Sequence, residues 1–207
     1  MAQTTITYFD FSGSRGEECR LALHLAGVPF TDERLQGKAW QERRAHAPFG
    51  AMPILTVEGH PPLGQSNTIL RLVGRLHGLH PSDPWAAARE EAVMEAVEDM
   101  RHKMGPIARI KDEADKKRQR EEAARDYLPQ WAHQIERQLV DSGSGPFFSG
   151  EALHVVDLKL FVALGPFLKG AIDHVPATVF DGAPRLLALV HAVQDHPGVR
   201  AWYATAR

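Results

Sequence analysis

The feature that most constrains this sequence is the position of its strand-like segments, all of which lie before residue 80. Short runs rich in β-branched and aromatic residues, such as residues 4–9, alternate there with helical segments. From Trp85 onward the apolar residues recur at helical spacing, and no segment has a convincing strand pattern. This division predicts an α/β part followed by an all-α part rather than one uniform sheet.

The order of elements in the first part predicts the topology of its sheet. Strands are predicted over residues 4–9, 30–35, 53–57 and 60–63, and helices over residues 15–26, 38–47 and 66–76. The strand–helix–strand beginning is typical of parallel pairing. The last two strands are expected to form a hairpin around a turn at Glu58 and Gly59.

A loop containing two prolines follows, and it is a plausible boundary between domains. We expect a first domain over residues 1–79, a linker over 80–84 and a second domain over 85–207. The helices predicted in the second domain cover residues 85–103, 118–139, 155–171, 184–194 and 198–205. The mixed charges of residues 111–125 favour a solvated helix face or a fraying loop over a binding tract.

Composition excludes several classes of function. A net charge of −2 does not indicate binding to nucleic acid or to an acidic membrane surface. The single cysteine, Cys19, excludes internal disulfides, fits a reducing compartment and is interpreted as a buried helix residue. The apolar stretch 158–168 is too short to span a bilayer, and the N-terminus does not have the pattern of a secretory signal. We therefore expect a soluble cytoplasmic protein.

The histidines predict no metal site. All 11 are scattered, with no metal-binding motif and no nearby set of carboxylates. At residues 154–157, where a helix is expected to begin, Asp157 resembles half of a capping box and His154 occupies the cap position. We therefore assign Asp157 to folding rather than to catalysis.

A proline at position 53 requires a reason, because it falls where a strand is predicted and cannot donate a hydrogen bond to the ladder. A cis bond between Met52 and Pro53 would provide one. It would leave the N–H and C=O of Met52 facing outward, free to pair with the backbone of a peptide ligand. Cis bonds are uncommon even before proline, so this residue pair alone does not decide the matter.

A second candidate binding feature is the change from strand to helix at Gln65 and Ser66. The free N–H groups of a first helical turn, together with the helix dipole, favour a carboxylate. The hydroxyl of Ser66 adds a donor. Ser66 also suits a simple helix cap, so the segment by itself leaves both interpretations open.

Taken together, these segments resemble the cytosolic glutathione transferase family, in particular its tyrosine-type classes and among them the sigma class. The matching residues are Tyr8-Phe9-Asp10, Arg15 to Arg20, Trp40, Pro48-Phe49-Gly50, Met52-Pro53-Ile54 and Gln65-Ser66. The resemblance covers the whole chain. It implies a thioredoxin-like N-terminal domain that binds glutathione, an all-helical C-terminal domain and a homodimer.

The resemblance also implies roles for individual residues in binding glutathione. Met52, followed by Pro53, would pair with the cysteinyl backbone of the tripeptide. Gln65 and Ser66 would hold its γ-glutamyl end, and Trp40 would border its glycine end.

Two further positions bear on the same site. Asp99 matches an acidic residue that reaches across the dimer to the glutathione of the partner subunit. Ala51 stands where sigma-like chains often carry a lysine near the glycine carboxylate. Arg43 or Arg44 could replace that charge, or the affinity for glutathione could be lower.

Activation of the glutathione thiol is assigned to Tyr8. The thiolate is the nucleophile, and a free thiol with a pKa of about 8.5 is mostly protonated at neutral pH. A hydroxyl that donates a hydrogen bond to the sulfur stabilises the thiolate and lowers this pKa. The loop from Tyr8 to Arg15 is one residue longer than in the sigma pattern, so Ser12 and Ser14 remain alternative donors.

A hydrophobic electrophile is expected to bind between the domains, against Phe9 or Phe11 and against Met100, Arg101 and Met104. The expected reaction is attack of the glutathione thiolate on this electrophile. Two alternatives stay open at this point. One is a protein that binds glutathione or hydrophobic ligands without turnover, and the other is a glutathione-dependent peroxidase or isomerase.

Overall fold

A computed structural model of the chain describes residues 3–205 and contains a mixed four-stranded sheet. The strands are β1 (Thr4–Phe9), β2 (Thr31–Leu35), β3 (Ile54–Val57) and β4 (Leu63–Gly64), in the order β2-β1-β3-β4. Strand β1 is parallel to β2, and β3 is antiparallel to both β1 and β4. The predicted parallel pair is confirmed. The antiparallel pairing of the last two strands is also confirmed, but β4 covers Leu63–Gly64 and not the predicted residues 60–63.

Helices accompany this sheet in the order that the sequence predicts. They are α1 (Ser14–Leu25), α2 (Gly37–Arg44), a short 3-10 turn (Pro48–Gly50) and α3 (Ser66–His77). Helix α3 packs against α1. It buries Ile69, Leu70 and Val73 while Leu76 stays exposed, which is the pattern of an amphipathic helix on a core. The helix ends at Gly78, whose φ of 73° suits glycine at a C-terminal cap.

The regular elements after α3 in the described chain are all helical. The elements are α4 (Pro84–Ala108), α5 (Glu113–Glu122), a π-helical turn (Ala123–Tyr127), α6 (Leu128–Asp141), α7 (Val155–Leu168), α8 (Pro184–Asp195) and α9 (Pro197–Thr205). Helix α5 starts earlier than predicted because the Asp112 side chain caps it, accepting the N–H of Asp115 at 2.7 Å. None of its residues is buried, in agreement with a solvated charged face.

Two compact units divide the chain. Of the described residues, one unit contains 3–87 together with 196–205, and the other runs from Ala88 to Asp195. Helix α9 therefore packs within the first unit, on α1, although the sequence pattern groups it with the helical domain. The contacts that hold it there include a hydrogen bond of 2.7 Å from the Trp202 indole to the Glu17 carboxylate and the packing of the Trp202 ring against His24. None of the helices between residues 3 and 205 has both the length and the apolar character that crossing a bilayer requires.

A fully buried carboxylate fixes the start of α7 in the second unit. Asp157 accepts the backbone N–H of His154 and that of Phe148, each at 2.8 Å. The His154 ring does not return the bond to Asp157; its Nδ1 lies 2.7 Å from the carboxylate of Glu90. Burial raises the pKa of Asp157 to about 7, although the two N–H donors act in the opposite direction. The carboxyl therefore ties a loop to a helix terminus and has the structural role assigned to it.

Replacing Asp157 with alanine tests this role. The change leaves two buried N–H groups without an acceptor, so we expect Asp157→Ala to lower the free energy of unfolding by roughly 2–4 kcal/mol, measured by urea denaturation. Asp141→Ala, at an exposed position, is the matched control and should change it by less than about 0.5 kcal/mol. A similarly small loss in Asp157→Ala would contradict the assignment.

Candidate functional site

Tyr8 combines a buried ring with an uncommitted hydroxyl. It lies near the end of β1 and is only 5% exposed. A Cβ atom added to Gly16 would fall 2.1 Å from the Tyr8 ring, so the close approach of α1 to this ring requires glycine there. The hydroxyl makes no hydrogen bond to any residue between 3 and 205. A buried phenol with a free donor is suited to bind a group supplied from outside.

The loop after Tyr8 is held from behind by a fully buried arginine. Arg20 donates hydrogen bonds to the carbonyl oxygens of Phe9 (3.2 Å) and Phe11 (3.0 Å). Its Nε donates to Asp32 on β2 at 2.8 Å, and Glu17 lies at 3.3 Å. Sequence reasoning missed Arg20 and Glu17. The sequence did contain a signal for this pair: Glu17 and Arg20 are three residues apart on the predicted helix, next to its apolar residues.

The two serines of this loop occupy different environments. Ser12 is exposed, whereas Ser14 is half-buried and is the first residue of α1. Ser14 has a φ of 56°, in the left-handed region. Neither hydroxyl bonds to another described residue, so both remain chemically available.

The predicted tripeptide-binding segments lie next to each other. The Met52–Pro53 bond is cis. Because Ile54 pairs with Gly64, the residues that flank this pair, Pro53 and Gln65, lie at the same end of adjacent strands. In the described chain, the backbone of Met52 makes no hydrogen bond.

The same end of the sheet carries the start of α3. Ser66 is its first residue and is buried, and Gln65 before it is exposed with a φ of 70°. The side chain of Gln65 does not cap the helix. Tyr8 lies at this same end of the sheet. Thr7 of β1 pairs with Ile54, so the next residue, Tyr8, is level with Pro53.

Trp40 and the candidate cations lie on α2. The ring of Trp40 meets that of Phe9 edge-on at 6.0 Å. Arg43 is already paired with Glu33 at 2.8 Å. Arg44 instead donates to the carbonyl oxygen of Gly50 at 3.2 Å, one residue before the exposed Ala51. Of the two arginines, Arg44 is therefore the one without a carboxylate partner in the described chain.

In the second unit, α4 and α7 line a cavity of about 380 Å³. Three of the predicted pocket residues, Met100, Arg101 and Met104, form part of its wall. Phe9 and Phe11 are not part of that lining; both belong to the first unit and are exposed. Sequence reasoning did not identify the α7 residues or Arg120, because they come from segments that it treated as core or as solvated surface.

The remaining predicted positions are placed as follows. Asp99 is exposed on α4. Burial raises the pKa of Tyr127, and the nearby Asp99 carboxylate raises it further. Cys19 is fully buried in α1, consistent with a core role. Across the part of the chain that the structure describes, no three His, Cys, Asp or Glu side chains cluster as a metal site would need.

Comparison with known proteins gives consistent matches. The family model "Glutathione S-transferase, C-terminal domain" matches residues 98–206. Glutathione S-transferase 1 of Ascaris suum is 30% identical over 207 residues, which cover 99% of this chain and 97% of that protein.

Two solved structures extend the likeness to the whole fold. A prostaglandin synthase D of Nilaparvata lugens has a TM-score of 0.86 at 25% identity, covering 99% of this chain and 98% of its own. A monomeric glutathione S-transferase of the hookworm Necator americanus has a TM-score of 0.84 at 27% identity, with the same coverage.

Proposed function

Because this chain belongs to the glutathione S-transferase family, we propose that it is a glutathione transferase, an enzyme that uses the glutathione thiolate to attack hydrophobic electrophiles. The observation that carries the proposal is the sheet register. It brings Tyr8, the Met52–Pro53 bond and the Gln65–Ser66 helix start to one end of three adjacent strands. These three features suit three parts of glutathione: a hydroxyl for the thiol, an unpaired backbone for the peptide and a helix start for a carboxylate.

Binding of glutathione as co-substrate would use mainly backbone groups. The unbonded N–H and C=O of Met52 would pair with the cysteinyl residue, as one strand pairs with another. The N–H groups at the start of α3, together with Ser66, would hold the γ-glutamyl carboxylate. Trp40 would border the glycine end, and Gln65, exposed beside Ser66, would add a polar contact.

In the chemical step, the thiol proton would leave to solvent and the sulfur lone pair would form a bond to the electrophilic carbon. With an aryl chloride, the carbon–chlorine bond would break and chloride would leave with the bonding electrons. The Tyr8 hydroxyl would donate a hydrogen bond to the sulfur and stabilise the thiolate. Tyr8 is favoured over Ser12 because its donor is held on a buried ring, whereas Ser12 is exposed. Ser14 is less suitable because it begins α1, where its backbone is committed to the helix.

Tyr8→Phe tests the assignment. Losing a hydrogen bond that lowers the thiol pKa by one to two units should reduce turnover of chlorodinitrobenzene at neutral pH roughly 10- to 100-fold. Glutathione affinity, measured by calorimetry, should change little because the backbone contacts remain. Ser12→Ala is the matched control and should keep full turnover. Normal activity in Tyr8→Phe with a loss in Ser12→Ala would transfer the role to the serine.

For the glycine end, we propose that Arg44 supplies the charge that Ala51 cannot. Arg43 is held by Glu33, whereas Arg44 has only a backbone carbonyl as partner among residues 3–205. We expect Arg44→Ala to weaken glutathione binding about fivefold, the effect of one exposed charge-assisted contact of about 1 kcal/mol. Arg43→Ala should change the affinity less than about twofold in the same calorimetric titration. Equal effects of the two variants would refute this distinction.

We propose further that the protein is a homodimer in which Asp99 approaches the glutathione of the partner subunit. The supporting feature is Phe49, which is 80% exposed on the 3-10 turn although it is a large apolar residue. Such side chains on a surface are typical of interfaces. A dimer is not universal among the relatives, since the Necator americanus structure is described as monomeric.

Sedimentation velocity tests the dimer. The wild-type protein should sediment at twice the chain mass of 23.0 kDa, and Phe49→Ser should shift it towards a single chain. Val140→Ser, which changes another exposed apolar side chain, should leave the dimer intact. A wild-type protein that remains at 23.0 kDa at every concentration would rule out the dimer and the role of Asp99 with it.

We also infer a cytoplasmic location and a role in detoxification of electrophiles. A single, buried cysteine suits a reducing compartment. Recovery of the protein in a membrane or secreted fraction would contradict the location. Retention on glutathione resin with no turnover of a broad panel of electrophiles and hydroperoxides would favour a binding protein instead.

A further inference from the structure

Helix α9, which packs on α1 within the first unit, brings two hydrogen-bond donors to one buried carboxylate. The carboxylate belongs to Glu17, in the first turn of α1, and this residue is only 1% exposed. The Trp202 indole donates to its Oε1 at 2.7 Å. Burial raises the pKa of the Tyr203 phenol, and the charge of Glu17 and the hydrogen bond to it raise that pKa further. Glu17 is therefore bound by a segment 185 residues away in the sequence.

Other contacts also fix α9 on α1. The His24 Nε2 donates to the carbonyl oxygen of Gly198 at 3.1 Å. A Cβ atom added to Gly198 would fall 2.3 Å from the Leu25 side chain, so the two helices approach closely there. The ring centroid of Trp202 lies 5.3 Å from that of His24 and 6.1 Å from that of Phe30. A variant that loses only the Trp202–Glu17 hydrogen bond is therefore expected to keep α9 in place.

Arg20 connects Glu17 to the loop between β1 and α1, residues 10–13. The Arg20 Nη1 lies 3.3 Å from Oε2 of Glu17, whereas the same nitrogen donates to the carbonyl oxygen of Phe11 at 3.0 Å. A guanidinium and a carboxylate usually approach to about 2.7–2.9 Å. The longer distance here indicates that the bond from Trp202 holds Glu17 towards α9 and away from Arg20.

Loss of the indole N–H would change this balance. A buried carboxylate that loses a donor is stabilised by moving closer to the nearest cation. Movement of Glu17 onto Arg20 would draw Nη1 away from the carbonyl oxygen of Phe11. Of the two bonds from Arg20 to the carbonyl oxygens of Phe9 and Phe11, only the one to Phe9 would then remain at full strength.

The same loop determines where the Tyr8 ring lies. The ring centroid of Phe11 is 5.7 Å from that of Tyr8, and the ring centroid of Phe9 is 5.3 Å from it. Gly16 of α1 also contacts the Tyr8 ring closely. Because the hydroxyl is fixed to a rigid ring, a shift of the loop moves the hydroxyl with the ring. A small shift is enough to weaken a hydrogen bond to a reacting atom.

We propose that Trp202 is a positioning residue for Tyr8: by holding Glu17 towards α9, its indole leaves Arg20 bound to Phe11 and so keeps the Tyr8 hydroxyl where it activates glutathione. The inference rests on the proposed function in one respect, namely that Tyr8 stabilises the glutathione thiolate. Trp202 acts only through Glu17 and Arg20. Its loss therefore affects activation of the thiol more than binding of the tripeptide.

Hydrogen exchange of the ligand-free protein, followed by NMR, tests the connection without any reaction. Trp202→Phe and its matched control His24→Phe each keep an aromatic ring and remove one N–H donor between α1 and α9, but only Trp202 donates to Glu17. The Phe11 amide, which donates to the carbonyl oxygen of Phe9 at 2.9 Å, should exchange about three- to tenfold faster in Trp202→Phe and at the wild-type rate in His24→Phe. An unchanged rate in Trp202→Phe, or equal increases in both variants, would overturn the proposal.

The pKa of the bound glutathione thiol, measured from the ultraviolet absorbance of the thiolate against pH, tests the effect on activation. Trp202→Phe should raise this pKa, so that the thiolate fraction below it and kcat for chlorodinitrobenzene both fall about three- to tenfold. The KM for glutathione should change less than about twofold. His24→Phe should lower the stability of the protein but leave the thiol pKa unchanged. A loss of stability in Trp202→Phe with an unchanged thiol pKa would leave Trp202 a structural role only and overturn the inference.

A double variant tests whether Trp202 acts through Tyr8. In the Tyr8→Phe background, Trp202→Phe should cause no further rise in the thiol pKa. A further rise of full size would show that the two residues act independently and would overturn the inference.

Circular dichroism and urea unfolding establish that each variant is folded. If Trp202→Phe does not fold, Tyr203→Phe takes its place, since it removes the other α9 donor to Glu17 from a side chain that is 41% exposed. It should raise the thiol pKa in the same direction by a smaller amount. An unchanged thiol pKa in Tyr203→Phe would then overturn the inference.

The experiments separate this inference from the proposed function. If the thiol bound to the wild-type protein has a pKa no lower than that of free glutathione, the proposed function is wrong, and the exchange rates alone decide whether Trp202 holds the loop. If the wild-type protein lowers the thiol pKa and Tyr8→Phe raises it but Trp202→Phe does not, the proposed function stands and positioning by Trp202 is wrong.

Discussion

The fully buried guanidinium of Arg20 is the interaction on which the first unit depends. It binds the carbonyl oxygens of Phe9 and Phe11 and the carboxylate of Asp32, so the loop after β1, helix α1 and strand β2 are joined through one charge. A buried cation that lost such partners would be strongly destabilised, which makes the arrangement cooperative. The ring of Tyr8 lies between this loop and Gly16 of α1. The Tyr8 hydroxyl is therefore positioned by contacts to its ring and backbone, and it remains free to bind.

Much of the fold could be predicted from local patterns, because those patterns coincide with what burial requires. Strand β1 begins and ends as predicted since its β-branched and aromatic residues suit a pleated, buried position. Helix boundaries that are set by a side-chain cap were harder to predict from the sequence. The start of α5 depends on one hydrogen bond from Asp115 to Asp112, within a stretch whose high charge also fits a fraying loop. The packing of α9 on α1 depends on Trp202 and Glu17, which are 185 residues apart in the chain.

The candidate site was predictable where it depends on backbone and not where it depends on buried charge. Met52–Pro53 and Gln65–Ser66 flank a hairpin, so a correct strand order already brings them together. The Arg20 network could not be predicted in the same way, because charged residues on a helix usually face water. The α7 wall of the cavity was missed for a related reason. An apolar helix predicts core, and only the three-dimensional packing shows that part of the core surface is left uncovered.

The two shielded arginines, Arg20 and Arg120, illustrate how the burial of its partners sets what a charge contributes to folding. Arg20 has acceptors within its own unit, two of them carbonyl oxygens that no solvent or ligand need replace. Arg120 is one of the residues that line a cavity, and the side chain of its carboxylate partner, Asp173, is 83% exposed. The free energy of a buried charge depends on acceptors that remain when water leaves. Arg20 retains its acceptors and therefore stabilises structure. Arg120 instead pairs with the backbone oxygen and the exposed carboxylate of Asp173, so its ion pair contributes less to folding than the Arg20 network.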